Sequence, residues 1–176
     1  MKLLKRGLLG LVGLLVLLAG IGLLLPAEFR VERSVQIAAP AERVYALVAA
    51  PREWKRWSVW NQRDPAMQVS YGGAESGAGA RWSWQSASEG NGEMEFTAAE
   101  PNSQISYKLH FADVGMTSTG LLRIEPRANG VRVHWSNEGT MGANPLHRWF
   151  AQFMDRLVGP DFEAGLANLK RVAEGG

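Results

Sequence analysis

The sequence predicts an α+β domain: an antiparallel sheet of about seven strands covered by a long C-terminal helix, with two short helices after the first strand and a transmembrane helix ahead of it. Three observations carry this. Gly7 to Leu25 is a run of 19 residues with no charged or hydrogen-bonding side chain. From Met67 to Glu138 apolar and polar residues alternate, the period of strands with one covered face. From Leu146 onward the apolar residues recur at helical spacing. At 176 residues and 46% hydrophobic content, the chain has material for one core plus an appendage.

The elements follow in order. Residues 1–6 form a basic N-terminus carrying Lys2, Lys5 and Arg6. Residues 7–25, GLLGLVGLLVLLAGIGLLL, are apolar all round, which a core helix rarely is. At about 1.5 Å per residue they nearly cross the ~30 Å hydrocarbon core. A cleaved signal peptide competes, because the cations form a proper basic flank; its apolar stretch is usually only about 7–15 residues, and Leu25-Pro26-Ala27-Glu28-Phe29 offers no clean cleavage site. Lys2, Lys5 and Arg6 before the span against Arg30 and Arg33 after it place the N-terminus in the cytoplasm and the domain outside, in a bacterium the periplasm. The glycines at 7, 10, 13, 20 and 22 contain no GxxxG spacing for a dimer face.

Residues 28–174 form the domain. Glu28 to Ile37 alternates, with Phe29, Val31, Arg33, Val35 and Ile37 on one face. A helix opens at Pro40, carries Val44, Leu47 and Val48, and stops at Pro51. A second short helix over Arg52 to Trp57 leads into Trp57-Ser58-Val59-Trp60. Six strands come next: Gln68 to Tyr71, Ala80 to Gln85, Gly92 to Ala99, Gln104 to Phe111, Thr117 to Glu125 and Val131 to Asn137, separated by turn signals such as Gly72-Gly73, Pro101-Asn102 and Asn129-Gly130. Their apolar sets include Trp82 and Trp84, then Met94, Phe96 and Ala98, then Ile105, Tyr107, Leu109 and Phe111. The covering helix spans Asn144 to Ala173, with Leu146, Trp149, Phe150, Phe153, Met154, Leu157 and Val158 as a stripe, a kink expected at Gly159-Pro160, and Asp161 recapping the continuation.

Composition excludes several functions. There is no cysteine, so disulfides, thiolate nucleophiles and cysteine metal sites are absent. The whole chain has 19 Lys and Arg against 17 Asp and Glu, but without the three N-terminal cations the balance is 16 against 17. A nearly neutral domain lacks the electrostatic footprint of a nucleic-acid binder. His110 and His134 fall on the polar face, so a histidine metal site is not expected, and no cofactor motif occurs in a supporting context. Glu93 and Glu95, two residues apart on the wet face, read as a solvated cross-strand charge surface rather than a catalytic pair.

The order of elements resembles the helix-grip fold of the SRPBCC superfamily (START, Bet v 1-like and polyketide cyclase/dehydrase-like proteins) from about Phe29 to Glu174. The residues that carry the resemblance are Ile37-Ala38-Ala39-Pro40-Ala41-Glu42-Arg43-Val44-Tyr45, Trp57-Ser58-Val59-Trp60, Gly130-Val131-Arg132-Val133-His134-Trp135, and Asp161 to Lys170. The resemblance implies a curved antiparallel sheet wrapped on the long C-terminal helix, with a cavity between them for a lipid or other hydrophobic small molecule, and no single reaction. Candidate cavity residues are Trp57, Trp60, Trp82 and Trp84; Met94, Leu109 and Phe111; Tyr107, Trp135 and Asn137, with Ser118 as a further polar group; and Phe150, Phe153, Met154 and Leu157 on the helix. Apolar walls with a few directional groups suit a small-molecule site, and buried Tyr and Trp equally suit a filled core. The expectation is a membrane-anchored binder or carrier without catalytic residues, metal or cofactor. The alternatives are a polyketide cyclase or aromatase-type enzyme with Tyr107 as proton donor, and an assembly factor for a membrane complex whose protein partners the sequence does not identify.

Overall fold

The computed structural model describes residues 2–175; Met1, part of the basic N-terminus, lies outside them. Helix α1 (Lys2–Leu24) precedes strand β1 (Glu28–Ile37), helix α2 (Ala41–Ala49), a 3₁₀ turn (Pro51–Arg56) and helix α3 (Val59–Arg63). Strands β2 (Gln68–Gly73), β3 (Ala80–Gln85), β4 (Gly92–Glu100), β5 (Gln104–Phe111), β6 (Met116–Arg127) and β7 (Gly130–Thr140) follow, then helices α4 (Pro145–Ala151) and α5 (Met154–Glu174). All seven strands form one curved antiparallel sheet in the order β1-β7-β6-β5-β4-β3-β2, so β1 closes the meander by pairing with its last strand. This is the helix-grip architecture. Helix α1 is apolar enough over Lys5–Leu24 to be a membrane span or a signal sequence.

The core lies between the concave face of the sheet and the helices. Its largest fully buried side chains are Trp57, Trp135, Tyr107, Phe96, Ile37, Ile105 and Leu122, with Leu166 and Leu169 from α5. Alternation holds along nearly every strand because a covered face removes every second side chain from water. One register differs from the expected pattern. A bulge between Phe96 and Ala98 turns Ala98 outward and brings Ala99 opposite Ile105 against the core. The segment after Trp57 also holds a short helix, α3, which its five residues are too few to signal by periodicity.

The C-terminal helix departs most from expectation. It is broken at Gln152 and Phe153 into α4 and α5, and α5 runs unbroken through Pro160. Asp161 does not cap a new helix; it accepts the Trp60 indole N–H (3.1 Å) and pairs with Arg63 (2.7 Å). The sheet-facing stripe of α5 is Met154, Val158, Phe162, Leu166 and Leu169. Phe150, Phe153 and Leu157, predicted to line the cavity, are 58%, 45% and 61% exposed. The break swings α4 away from the sheet and onto α1: the Trp149 indole donates to the Leu18 carbonyl (3.0 Å), and Arg148 donates to the carbonyl of Leu23 (2.9 Å).

Arg33, on the core-side face of β1, reaches α5 instead of the apolar centre. Its guanidinium donates to Asp155 (2.7 Å) and Glu163 (2.6 Å) across Gly159, locking β1 to the helix. Hydrogen bonding from Arg33 holds the Asp155 carboxyl below its usual range.

Candidate functional site

A cavity of about 220 Å³ opens between the sheet and the helices. Its inner end is floored by an aromatic cluster. Trp135 stacks on Phe162 with ring centroids 4.0 Å apart, and Trp54 sits 4.5 Å from Trp57 and 5.2 Å from Trp82. The indole donors are spent internally: Trp54 on the Val48 carbonyl (3.0 Å) and Trp57 on the Leu47 carbonyl (3.1 Å). These bonds fix the 3₁₀ turn beneath helix α2 and orient its rings toward the sheet. Half-buried Met67, Trp84, Leu109, Phe111, Met116, Met154 and Val158 form the open end.

Tyr107 is the polar centre of the floor. Its register partner on β6 is Gly120, which in turn faces Asn137 on β7. A Cβ at position 120 would overlap the Tyr107 ring, so only glycine lets the ring lie across β6. The phenol oxygen thereby reaches β7 and accepts from Trp135 Nε1 (2.9 Å) and Asn137 Nδ2 (3.3 Å). With two donors directed at the oxygen, the phenol proton is left to donate elsewhere. Complete burial pushes the Tyr107 pKa up to about 12, against the smaller opposing effect of the two hydrogen bonds. At neutral pH the group is therefore a donor that keeps its proton.

Ser118 lies two residues from Gly120 on the same face of β6, opposite Leu109 on one side and Gly139 on the other. Its hydroxyl lines the cavity, is buried, and has no hydrogen-bond partner in the protein. Such a group costs about 1–3 kcal/mol unless something pairs with it. Ser118 and the Tyr107 proton thus present two hydroxyl functions to a mainly apolar space, whose other polar lining residues are Ser58, Asn61, Glu89 and Asn137.

Of the sequence candidates, Trp60, Trp82, Trp84, Met94, Tyr107, Leu109, Phe111, Trp135, Asn137 and Met154 line this cavity. Trp57 is wholly buried behind Trp135 and does not line it; its hydrogen bond to α2 holds it in the core. Phe150, Phe153 and Leu157 lie outside, on the surface. Lining residues not singled out from the sequence include Phe29, Trp54, Ser58 and Phe162. Phe162 had a legible signal, since it falls at i+8 from Met154 on the same helix face. Trp54 had only its residue type as a signal, because a 3₁₀ turn lacks the α-helical period.

On the outer face, Glu93 lies opposite His110 and Glu95 opposite Lys108 and Arg81, forming a cross-strand charge surface in a shallow groove. His110 is hydrogen-bonded to Thr117 (3.0 Å), and His134 lies 3.4 Å from Glu125. Among the described residues no group of three or more His, Asp or Glu side chains is placed to hold a metal ion.

Comparison with known proteins agrees with this architecture. A protein from Chromobacterium violaceum shares 18% identity and a TM-score of 0.59, over 85% of this chain and 99% of its own. An uncharacterised protein from Rhizobium leguminosarum shares 17% identity and a TM-score of 0.63, over 85% and 96%. The di-domain ARO/CYC protein BexL, from the BE-7585A biosynthetic pathway, shares 19% identity and a TM-score of 0.60 over 84% of this chain and 50% of BexL. At these identities the likeness is one of fold. No curated protein is similar enough to be matched. The sequence profile of the family described as "Polyketide cyclase / dehydrase and lipid transport" matches residues 28–174, most of the chain and all seven strands, and the protein belongs to that family within the SRPBCC superfamily.

Proposed function

We propose that this protein is a membrane-anchored binder or carrier of a small hydrophobic molecule that bears a hydrogen-bond acceptor. The observation that carries the reading is Ser118, a buried hydroxyl without a partner on the wall of an apolar cavity. A ligand carbonyl, hydroxyl or ether oxygen placed between Ser118 and Tyr107 would receive both protons, while the aromatic walls would supply affinity by area. The volume sets the size. About 220 Å³ exceeds the ~150 Å³ of a cavity that holds benzene but falls below the ~300 Å³ lower bound for drug-sized ligands. A single ring fits, as does one end of an acyl or isoprenoid chain whose remainder leaves through the open end.

Burial keeps the Tyr107 phenol protonated at neutral pH, so it is available to orient a ligand carbonyl as a hydrogen-bond donor. The site residues of this reading are Tyr107, Ser118 and Asn137 for orientation, with Trp60, Trp82, Met94 and Trp135 as walls. Residues 28–174 form the binding domain, and residues 7–25 the anchor rather than a cleaved signal. The anchor reading is supported by α4, whose residues Arg148 and Trp149 hydrogen-bond to the carbonyls of Leu23 and Leu18 on α1. The cations before the span favour a cytoplasmic N-terminus and a domain on the opposite side of the cell membrane.

The test is native mass spectrometry of the full chain extracted from its own membrane, followed by lipid extraction. A stoichiometric apolar ligand lost on Ser118→Ala or Tyr107→Phe is expected. A cavity that stays empty, together with no thermal shift from any of a panel of apolar carbonyl compounds, would sink the reading.

A further inference from the structure

We infer that helix α4 and the first turn of α5 are an interfacial membrane-docking surface, which lays the open side of the cavity against the lipid bilayer; this rests on the reading of α1 as a retained span. Leu146, Phe150, Phe153 and Leu157 are large apolar side chains that stand exposed together on this one stretch of the chain. Outside α1 they are the only large hydrophobic residues so exposed among the described residues.

The occupant follows from what adjoins the patch. Helix α4 lies on the last turns of α1, inside the predicted span: Trp149 donates to Leu18, Arg148 to Leu23, and a Cβ on Gly22 would overlap the Pro145 carbonyl. The approach is therefore close, and the part of α1 beside α4 is itself bare, with Val16, Leu17 and Ile21 exposed. A surface joined side by side to a lipid-spanning helix is bathed by the same lipid. Its chemistry matches that depth. Trp149 and Arg148 set an indole and a cation against the last turns of α1, the residue types enriched where a span meets the lipid headgroups.

The helical turn that bears the patch also bears the rim of the cavity. Met154 and Val158 line the open end, while Phe153 and Leu157, one position earlier in each case, face outward. Docking these two residues in lipid sets the entrance at the headgroup boundary, so an apolar ligand passes between bilayer and cavity without crossing bulk water.

The absence of native cysteine makes the test direct. Single variants Val16→Cys, Phe150→Cys, Phe153→Cys and Ala128→Cys of the full chain are labelled with an environment-sensitive fluorophore. They are then reconstituted in phosphatidylcholine/phosphatidylglycerol vesicles. Ala128 is the aqueous control, in the β6–β7 turn at the end of β7 remote from its contact with Ala27. The expected result is bromolipid quenching and blue-shifted emission at 16, 150 and 153, with iodide quenching only at 128. Quenching by bromolipid at 16 combined with iodide access at 150 and 153 would overturn the docking surface and leave the anchor intact. Shielding of 150 and 153 from both quenchers would also overturn it, by showing a protein, either a second copy or a partner, on the patch. Bromolipid quenching at 150 and 153 without quenching at 16 would support docking and sink the anchor.

Discussion

Two aromatic stretches of this chain have opposite fates. Trp54, Trp57, Trp135 and Phe162 are sealed beneath the sheet, whereas Phe150, Phe153 and Leu157 stand in the open. Their hydrophobicity is much the same, so intrinsic preference for apolar surroundings does not separate them. What does is the partner each can reach. The first group meets across the sheet–helix interface, each ring within about 6 Å of another. The second straddles the break at Gln152 and Phe153, with Phe150 on α4, Phe153 in the break and Leu157 on the outer side of the first turn of α5, so none of the three reaches the sheet. The difference teaches that an apolar stripe predicts burial only in some medium, and that medium need not be the protein's own core.

The contrast is broken most severely at Trp135. Trp135→Ala removes the ring on which Phe162 and Trp57 rest and one of the donors to Tyr107, and should cost about 3–5 kcal/mol in equilibrium unfolding of the detergent-solubilised chain. Tyr107→Phe keeps the ring but leaves the Trp135 and Asn137 donors without their acceptor, an expected loss of about 2–3 kcal/mol by the same measurement.

The phenol also gives a pH signature. Its folded pKa of about 12 lies above the unfolded value near 10, so the folded state holds the proton more tightly. That contribution, on the order of 2 kcal/mol, is present in full below pH ~10 and lost as pH rises through about 12. Melting curves between pH 9 and 12 should show an alkaline decline that is shallower in Tyr107→Phe. An equal decline in both proteins would assign it to other groups.

Ser118→Ala sharpens the comparison in the opposite sense. Deleting an unpaired buried hydroxyl should stabilise the empty domain by about 1 kcal/mol while weakening retention of an acceptor-bearing ligand. Loss of stability instead would show that the hydroxyl is already paired. At the bottom of the scale, Phe150→Ser should change unfolding of the domain in detergent by less than about 0.5 kcal/mol, because the residue supports nothing beneath it.

Much of this architecture was legible beforehand. The strand boundaries at Ala80–Gln85 and Gln104–Phe111 coincide with the alternation itself. Tyr107, Trp135 and Asn137 could be assigned to one face because their side-chain period is two and the face is apolar around them. The bulge at Ala98 was not legible, since an inserted residue leaves the composition of both strands unchanged. Nor was the route of Arg33, a cation on the apolar face of β1 whose partners Asp155 and Glu163 lie more than a hundred residues away.

What the sequence determined by itself is therefore local: the apolar N-terminal run, the strands and their covered face, and the helical character of the C-terminus, each legible from neighbouring positions alone. Only the tertiary structure decided where α4 points, which aromatic rings close the cavity floor, and which hydroxyl is left over. Those outcomes depend on distances between groups remote in sequence, as when Gly120 leaves room for the Tyr107 phenol to reach β7 and Ser118, two residues away, ends with nothing to bond.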